Sequence, residues 1–317
     1  MNKSAPPINE TILLGKTDIL ITPLGTGTWQ WGDRNLWGYG STYQEADVRG
    51  AFQASLEAGI RFFDTSERYG HGESERLLGK FIYTSGEKVV VATKYDPLRW
   101  RMWKNCMTKA ERHSLKRLGL PMVDLYQIHW PTPPLSIKSM AEGLADIYEA
   151  GLTRAVGVSN YTEEQMRLTH EVLSKRGIPL ASNQVNFSLL HRNVEKDGLL
   201  NACKELGVTL IAHSPLAEGV LTGKYTPENT PPGMRGNYYN NEQLAKVQTL
   251  IDLMRKTGQA HDGKSPTQVA LNWLICKGAL PIPGAKNAKQ VKENAGASGW
   301  RLTAVEVYAL DEASAVY

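Results

Sequence analysis

The chain runs to 317 residues, 41% apolar and 21% charged, with a formal net charge of +4. That is enough chain to bury a large core without disulfides or a structural metal, and a charge balance too mild to suggest a nucleic-acid partner, though compatible with one anionic ligand. Cys106, Cys203 and Cys276 are odd in number, far apart and without Cys-x-x-Cys spacing, which argues against a disulfide framework or a zinc site.

Residues 1–10 are polar, carry two prolines and lack the apolar stretch of a signal peptide. No later run approaches the ~20 apolar residues of a membrane span. A cytoplasmic protein without a membrane or nucleic-acid partner is therefore expected. Residues 11–22 read as a β-hairpin, two apolar runs flanking Gly15-Lys16-Thr17-Asp18. A short strand follows near residues 23–25, then Gly25-Thr26-Gly27-Thr28-Trp29-Gln30-Trp31-Gly32. No helical pattern starts there and Gly-x-Gly-x-x-Gly is not completed, which argues against a Rossmann domain.

From residue 44 helices and strands alternate. Helices are predicted over 44–58, 73–83, 105–118, 136–150, 162–175, 194–206, 241–257, 265–277, 288–295 and 303–313, and strands over 60–63, 88–94, 123–129, 155–158, 181–187, 208–212 and 279–283. In the first helix Val48, Ala51, Phe52, Ser55 and Leu56 share one face, and Gly59 reads as its C-cap. A polar loop rich in Pro and Gly spans about 216–240. With the strand near 23–25, the pattern gives eight strands alternating with helices at steps of roughly 25–35 residues, which predicts an α/β fold of (β/α)8 TIM-barrel type. A helix ends the chain, and residues 1–317 are expected to form a single domain.

Functional sites of such barrels lie at the C-terminal ends of the strands. Here those ends carry Asp64, Lys94, His129, Ser159-Asn160, Gln184 and Asn186, and His213-Ser214. A carboxylate after a strand is often only an N-cap, a lone histidine a satisfied core residue and a lone tyrosine packing. Lys94, after Val-Val-Val-Ala-Thr, is harder to read that way. A buried ammonium needs a partner, and Asp64 on the neighbouring strand supplies one. Tyr69 lies five residues beyond Asp64. A tyrosine near its free value of ~10 is a weak acid at neutral pH, so the expectation is that Lys94 lowers it, Asp64 holds Lys94, and His129 bonds or relays to a carbonyl oxygen. Hydride must come from a cofactor.

Asp64-Thr65-x-x-x-Tyr69-Gly70, Thr93-Lys94, Gln127-Ile128-His129-Trp130-Pro131, Gly157-Val158-Ser159-Asn160, Asn183-Gln184 and Ser214-Pro215-Leu216 stand in the order seen in the aldo-keto reductase superfamily, which the chain resembles from Leu24 to about Leu310. The resemblance implies an NADPH/NADP+-dependent reductase of aldehydes and ketones, on a barrel whose bottom the N-terminal hairpin closes. It makes Tyr69 the general acid, Lys94 and Asp64 its support, and His129 the substrate-orienting group. It gives the nicotinamide carboxamide to Ser159, Asn160 and Gln184, the cofactor–substrate junction to Gly27, Thr28 and Trp29, and the pyrophosphate to Ser214, Pro215, Leu216 and Ala217 with Lys224 nearby. Gly284, Lys286, Gln290, Glu293 and Asn294 match its adenosine-end positions. Lys286, at the start of a short helix, is a natural phosphate site, Arg235 adds a second cation toward a 2′-phosphate, and these charges favour NADPH. Lys289 and Lys292 read as solvated.

One departure is His213, where the family commonly places an aromatic residue that stacks on the nicotinamide. Imidazole stacks with less area and titrates near 6.5, so a cofactor affinity that is weakened, or that changes between pH 6 and 8, is expected. Trp29, Trp31, Trp37, Tyr39, Trp100, Trp103 and Trp130 fall in predicted loops at the same face and predict an aromatic-walled pocket, with Trp29, Tyr69, Trp100, His129 and Trp130 as substrate contacts and the rest packing loops. Arg99 and Arg101, flanking Trp100, would suit an acidic or phosphorylated substrate but read first as surface solvation. Pro97-Leu98-Arg99-Trp100-Arg101 and Leu221-Thr222-Gly223-Lys224-Tyr225-Thr226-Pro227 resemble plant and cyanobacterial reductases, including those assigned to pyridoxal. The rival reading is an NADPH-binding regulatory or redox-sensing subunit with slow turnover. At least one such group lacks the histidine that stands here at His129. A monomer or weak oligomer acting on a small carbonyl compound is expected.

Overall fold

The computed structural model describes residues 8, 10–98, 101, 105–133, 135–232, 236 and 239–317. Two short strands, β1 (Ile12–Leu13) and β2 (Leu20–Ile21), pair antiparallel as the expected hairpin. Eight parallel strands follow: β3 (Thr26–Gly27), β4 (Phe62–Asp64), β5 (Val90–Tyr95), β6 (Val123–Ile128), β7 (Thr153–Ser159), β8 (Leu180–Asn186), β9 (Thr209–His213) and β10 (Leu280–Pro281), each paired with its sequence neighbour. The Gly25 N–H donates to the Pro281 carbonyl (3.0 Å) and the Gly27 N–H to that of Pro283 (3.1 Å), joining the first strand to the last. Gly27 permits this approach, since a Cβ there would lie 2.8 Å from the Ile282 oxygen.

The helices are α1 (Glu45–Glu57), α2 (Glu73–Ser85), α3 (Cys106–Leu118), α4 (Ile137–Glu149), α5 (Glu163–Ser174), α6 (Asn193–Lys196), α7 (Leu199–Leu206), α8 (Asn241–Gln259), α9 (Pro266–Cys276), α10 (Ala288–Ala295) and α11 (Ala304–Ser314). Several start where the sequence signals it. Thr162 and Ser265 cap α5 and α9 by accepting from the N–H of Gln165 and Gln268, whose side chains bond back. In α1 the expected face is buried except for Leu56, which is half-buried, and Ala58 rather than Gly59 caps the helix. The single helix expected over 194–206 is broken: Gly198 takes a left-handed φ of +84° between α6 and α7. Within the loop after β9, residues Ala217–Thr222 form a 3-10 turn. Among the described residues no helix is long and apolar enough to cross a membrane.

The strand alternation sorts the barrel interior into layers. Phe62, Ala92, Leu125, Ala155, Ile211 and Leu280 pack with hairpin residues Leu14, Ile19 and Ile21, which plug the bottom. Two residues further along β4, β5 and β6 stand Asp64, Lys94 and Gln127, all buried and polar. The apolar floor keeps water from reaching this layer from below.

Candidate active site

Above the polar layer opens a cleft of about 1630 Å³ that runs from Trp130, after β6, past Asp64 and Tyr69 to Glu293 and Asn294 of α10. At its base the Lys94 Nζ donates to Asp64 Oδ2 (2.5 Å), to the Thr65 carbonyl (2.8 Å) and to the Tyr69 hydroxyl (3.2 Å). Asp64 Oδ1 accepts from Gln184 Nε2 (2.7 Å) and Gln127 Nε2 (3.3 Å). The carboxylate is thus held from three strands, and the buried ammonium has the partner its desolvation requires.

Tyr69 begins a 3-10 turn in which Gly70, His71 and Gly72 are all left-handed. A Cβ at Gly70 would lie 2.7 Å from the Gly32 carbonyl, so glycine lets this loop fold tightly against the β3 loop and aim the phenol back over Lys94. The Trp29 ring stacks on Tyr69 with centroids 6.0 Å apart, and the His129 ring meets Tyr69 edge-on at 5.8 Å. His129 Nδ1 lies 3.2 Å from Ser66 Oγ.

Burial favours loss of the Lys94 proton, but Asp64 and the Tyr69 oxygen outweigh it and keep the ammonium above its ordinary range. Burial pushes the Tyr69 phenol above its ordinary value; Lys94 pulls it down, Asp64 pushes it up, and burial prevails. The lowering by Lys94 expected for Tyr69 is present but outweighed by desolvation, the lysine being already shared with Asp64. His129 is held well below its usual range by burial and then by Lys94. His213 is brought down to about 3 by burial, then by Lys94 and His191. A ring held neutral between pH 6 and 8 argues against protonation of His213 as a source of pH-dependent cofactor affinity.

Beyond this centre, Gly27, Thr28, Trp29, Ser159, Asn160, Gln184, His213, Ser214, Pro215, Leu216, Lys224, Gly284, Lys286, Gln290, Glu293 and Asn294 all line the cleft, as expected. Ala217 does not. Its methyl is fully buried, and its left-handed turn instead brings Glu218 and Gly219 into the wall. The Lys286 Nζ donates to the Trp37 carbonyl (2.8 Å) and sits 4.5 Å from the Tyr43 ring centre, fastening the β3 loop to the start of α10. Among the tryptophans, Trp29 and Trp130 remain 36% and 45% exposed beside Tyr69 and His129, whereas Trp31 is core, packed on Phe63 and Phe81. Arg101 is not merely solvated: it pairs with the buried Glu67, which also accepts from the Asp96 N–H (2.8 Å). Arg99, Trp100, Trp103 and Arg235 lie outside the described residues. Gln127 (bonded to Asp64), Ser66 (beside His129) and Gln30 (in the cleft wall) also belong to the site, and the strand-end residue Asn186 lines it too. Gln127 had a signal, standing two residues before His129 on the same strand face.

The model of the aldo/keto reductase family matches residues 23–315. The chloroplastic pyridoxal reductase of Arabidopsis thaliana is 42% identical over 307 residues, covering 93% of this chain and 83% of that protein. The NADH-specific methylglyoxal reductase of Escherichia coli is 30% identical over 314 residues, 90% of this chain and 92% of its own. The solved structure of a glycerol dehydrogenase from Gluconobacter oxydans superposes with a TM-score of 0.85 at 30% identity, covering 96% of this chain and 95% of that one. A barrel that gathers a phenol, an ammonium, a carboxylate and an imidazole at the base of one long cleft, together with these matches, makes this chain a member of the aldo/keto reductase family.

Proposed function

We propose that this protein is an NADPH-dependent reductase that converts an aldehyde or ketone to its alcohol, with Tyr69 as proton donor. The observation that carries the reading is the Lys94 Nζ, placed 2.5 Å from Asp64 and 3.2 Å from the Tyr69 hydroxyl in a cleft open to ligands. A nicotinamide dinucleotide fits the residues present. The cleft exceeds the roughly 300–1,000 Å³ of ordinary small-molecule sites. The buried side-chain oxygens of Gln30 and Asn186, both in its lining, have no hydrogen-bond partner among the described residues. When bound, the nicotinamide supplies the hydride that goes to the carbonyl carbon.

Tyr69 gives its proton to the carbonyl oxygen, and solvent restores it. Its raised pKa keeps it protonated through the neutral range, and Lys94 stabilises the phenolate left behind. Asp64, accepting from Lys94, Gln184 and Gln127, keeps the ammonium charged and in place. The neutral His129 bonds the substrate oxygen through Nε2, its Nδ1 lying 3.2 Å from a Ser66 hydroxyl able to donate to it. Lys224, Lys286 and Arg235 favour the extra phosphate of NADPH, whereas the Escherichia coli relative is NADH-specific. The rival reading as a regulatory subunit is not favoured, since His129 is present and joined to Tyr69 and Ser66.

We propose pyridoxal as the first substrate to try, on the likeness to the Arabidopsis enzyme of that name. The exposed faces of Trp29 and Trp130 suit a flat aromatic aldehyde. We also read the chain as a single domain, cytoplasmic and at most weakly associated. Oxidation of NADPH and of NADH, followed in turn with pyridoxal, methylglyoxal and short aldehydes, tests the function. Turnover with NADPH and at least one aldehyde is expected; binding of cofactor with no turnover on any of them would favour the regulatory reading.

A further inference from the structure

The ends of β6, β7 and β9 meet at one amide. Asn160 follows β7 with a left-handed φ of +60°, its N–H donating to the Gln184 carbonyl (2.8 Å). Its Nδ2 lies 3.0 Å from the backbone carbonyl of His129 and 3.0 Å from Ser159 Oγ. A backbone carbonyl can only accept, so this contact fixes which end of the amide is nitrogen. The Asn160 Oδ1 therefore faces His213, whose Nε2 lies 3.1 Å away. An oxygen that only accepts requires the proton of His213 to sit on that Nε2.

We propose that His213 is a positioning residue: its Nε2–H fixes the Asn160 amide against the backbone of His129, so that Asn160 presents an acceptor oxygen, and no N–H, to a bound nicotinamide carboxamide. Both Asn160 N–H groups are already used, on His129 and Ser159, and only the second lone pair of Oδ1 is left for a ligand. A phenyl ring at this position would offer the same flat face to the cleft but no N–H, and the amide could then turn over. The neutrality of His213 at working pH agrees with a single, fixed N–H. The bond also ties the nicotinamide end to the imidazole that bonds the substrate, since both hang on the His129 backbone.

This inference rests on the reading of the cleft as a nicotinamide site, and the test separates the two. NADPH dissociation constants, from quenching of tryptophan emission, and kcat with the best aldehyde are measured for the parent, His213→Phe, His213→Gln, Asn160→Ala and the double variant His213→Phe/Asn160→Ala. His213→Phe, which keeps a ring but no donor, should weaken NADPH binding roughly three- to tenfold, as for loss of one hydrogen bond. His213→Gln, which keeps a donor, should recover most of it. With Asn160 already alanine, His213→Phe should cost nothing more. If His213→Phe binds like the parent, or loses the same factor with and without Asn160, His213 does not act through Asn160. A parent that binds neither NADPH nor NADH would overturn the cofactor reading, and this one with it.

Discussion

Replacing Lys94 with methionine should damage stability and turnover for separable reasons. The ammonium is wholly buried and paired with an equally buried carboxylate at 2.5 Å. Removing one member of such a pair leaves the other charge uncompensated and costs about 3–5 kcal/mol. Gln184 and Gln127 still donate to Asp64, so the lower end is expected. Removing both charges, in Asp64→Asn/Lys94→Met, leaves no orphan and should return most of that stability. Turnover should not return. At an effective dielectric of about 20, an ammonium 3.2 Å from a phenolate oxygen attracts it by roughly 5 kcal/mol. If about half of that charge has developed in the transition state, the loss is on the order of 10²-fold in rate. Urea unfolding gives the first quantity and single-turnover NADPH oxidation the second. A Lys94→Met protein as stable as the double variant would refute the view that the pair is tightly coupled, and recovery of turnover in the double variant would refute the role given to the ammonium.

Acid should act on stability through the partly buried His213 imidazole. His213 stays neutral in the fold down to about 3, while the unfolded chain takes up its proton below about 6.5, so stability is lost as pH falls from there. Between pH 7.5 and 5.5 the cost is about 1.4 kcal/mol, and in His213→Phe the drop over that interval should be smaller by this amount; equal drops in both proteins would show that the group is not held neutral. At the far end of the cleft, Lys286→Ala should weaken NADPH about tenfold or more and NADH far less, read by titration of both cofactors, whereas equal losses would assign Lys286 only to fastening the β3 loop through Trp37.

The barrel was legible because strands keep a period of two and helices a period near 3.6, and because Gly, Ser and Thr mark the ends of many elements. Asp64, Lys94 and His129 were legible as strand-end residues on neighbouring strands. Gln127 could have been found by the same rule. What was not legible depends on depth or distance along the chain. The pKa of Tyr69 turns on how much protein covers it, which reverses the direction expected from its neighbour Lys94 alone. His213 was read from its type as a titrating group, yet packing leaves it neutral. Trp31 and Trp29 share a loop and look alike in sequence, but the Trp31 indole N–H donates to the Ala285 carbonyl (2.8 Å) and lies in the core. The clasp of Lys286 on Trp37 joins residues far apart in the chain and left no local signal.

Tyr69→Phe removes one oxygen atom from the site and leaves the ring that Trp29 stacks on in place. NADPH binding to this variant and its rate of carbonyl reduction, measured on the same preparation, address the central claim. Binding within about twofold of the parent, with turnover reduced by 10²-fold or more, is predicted for a residue whose hydroxyl gives the proton. Turnover close to that of the parent would contradict it and move the proton donor to another group.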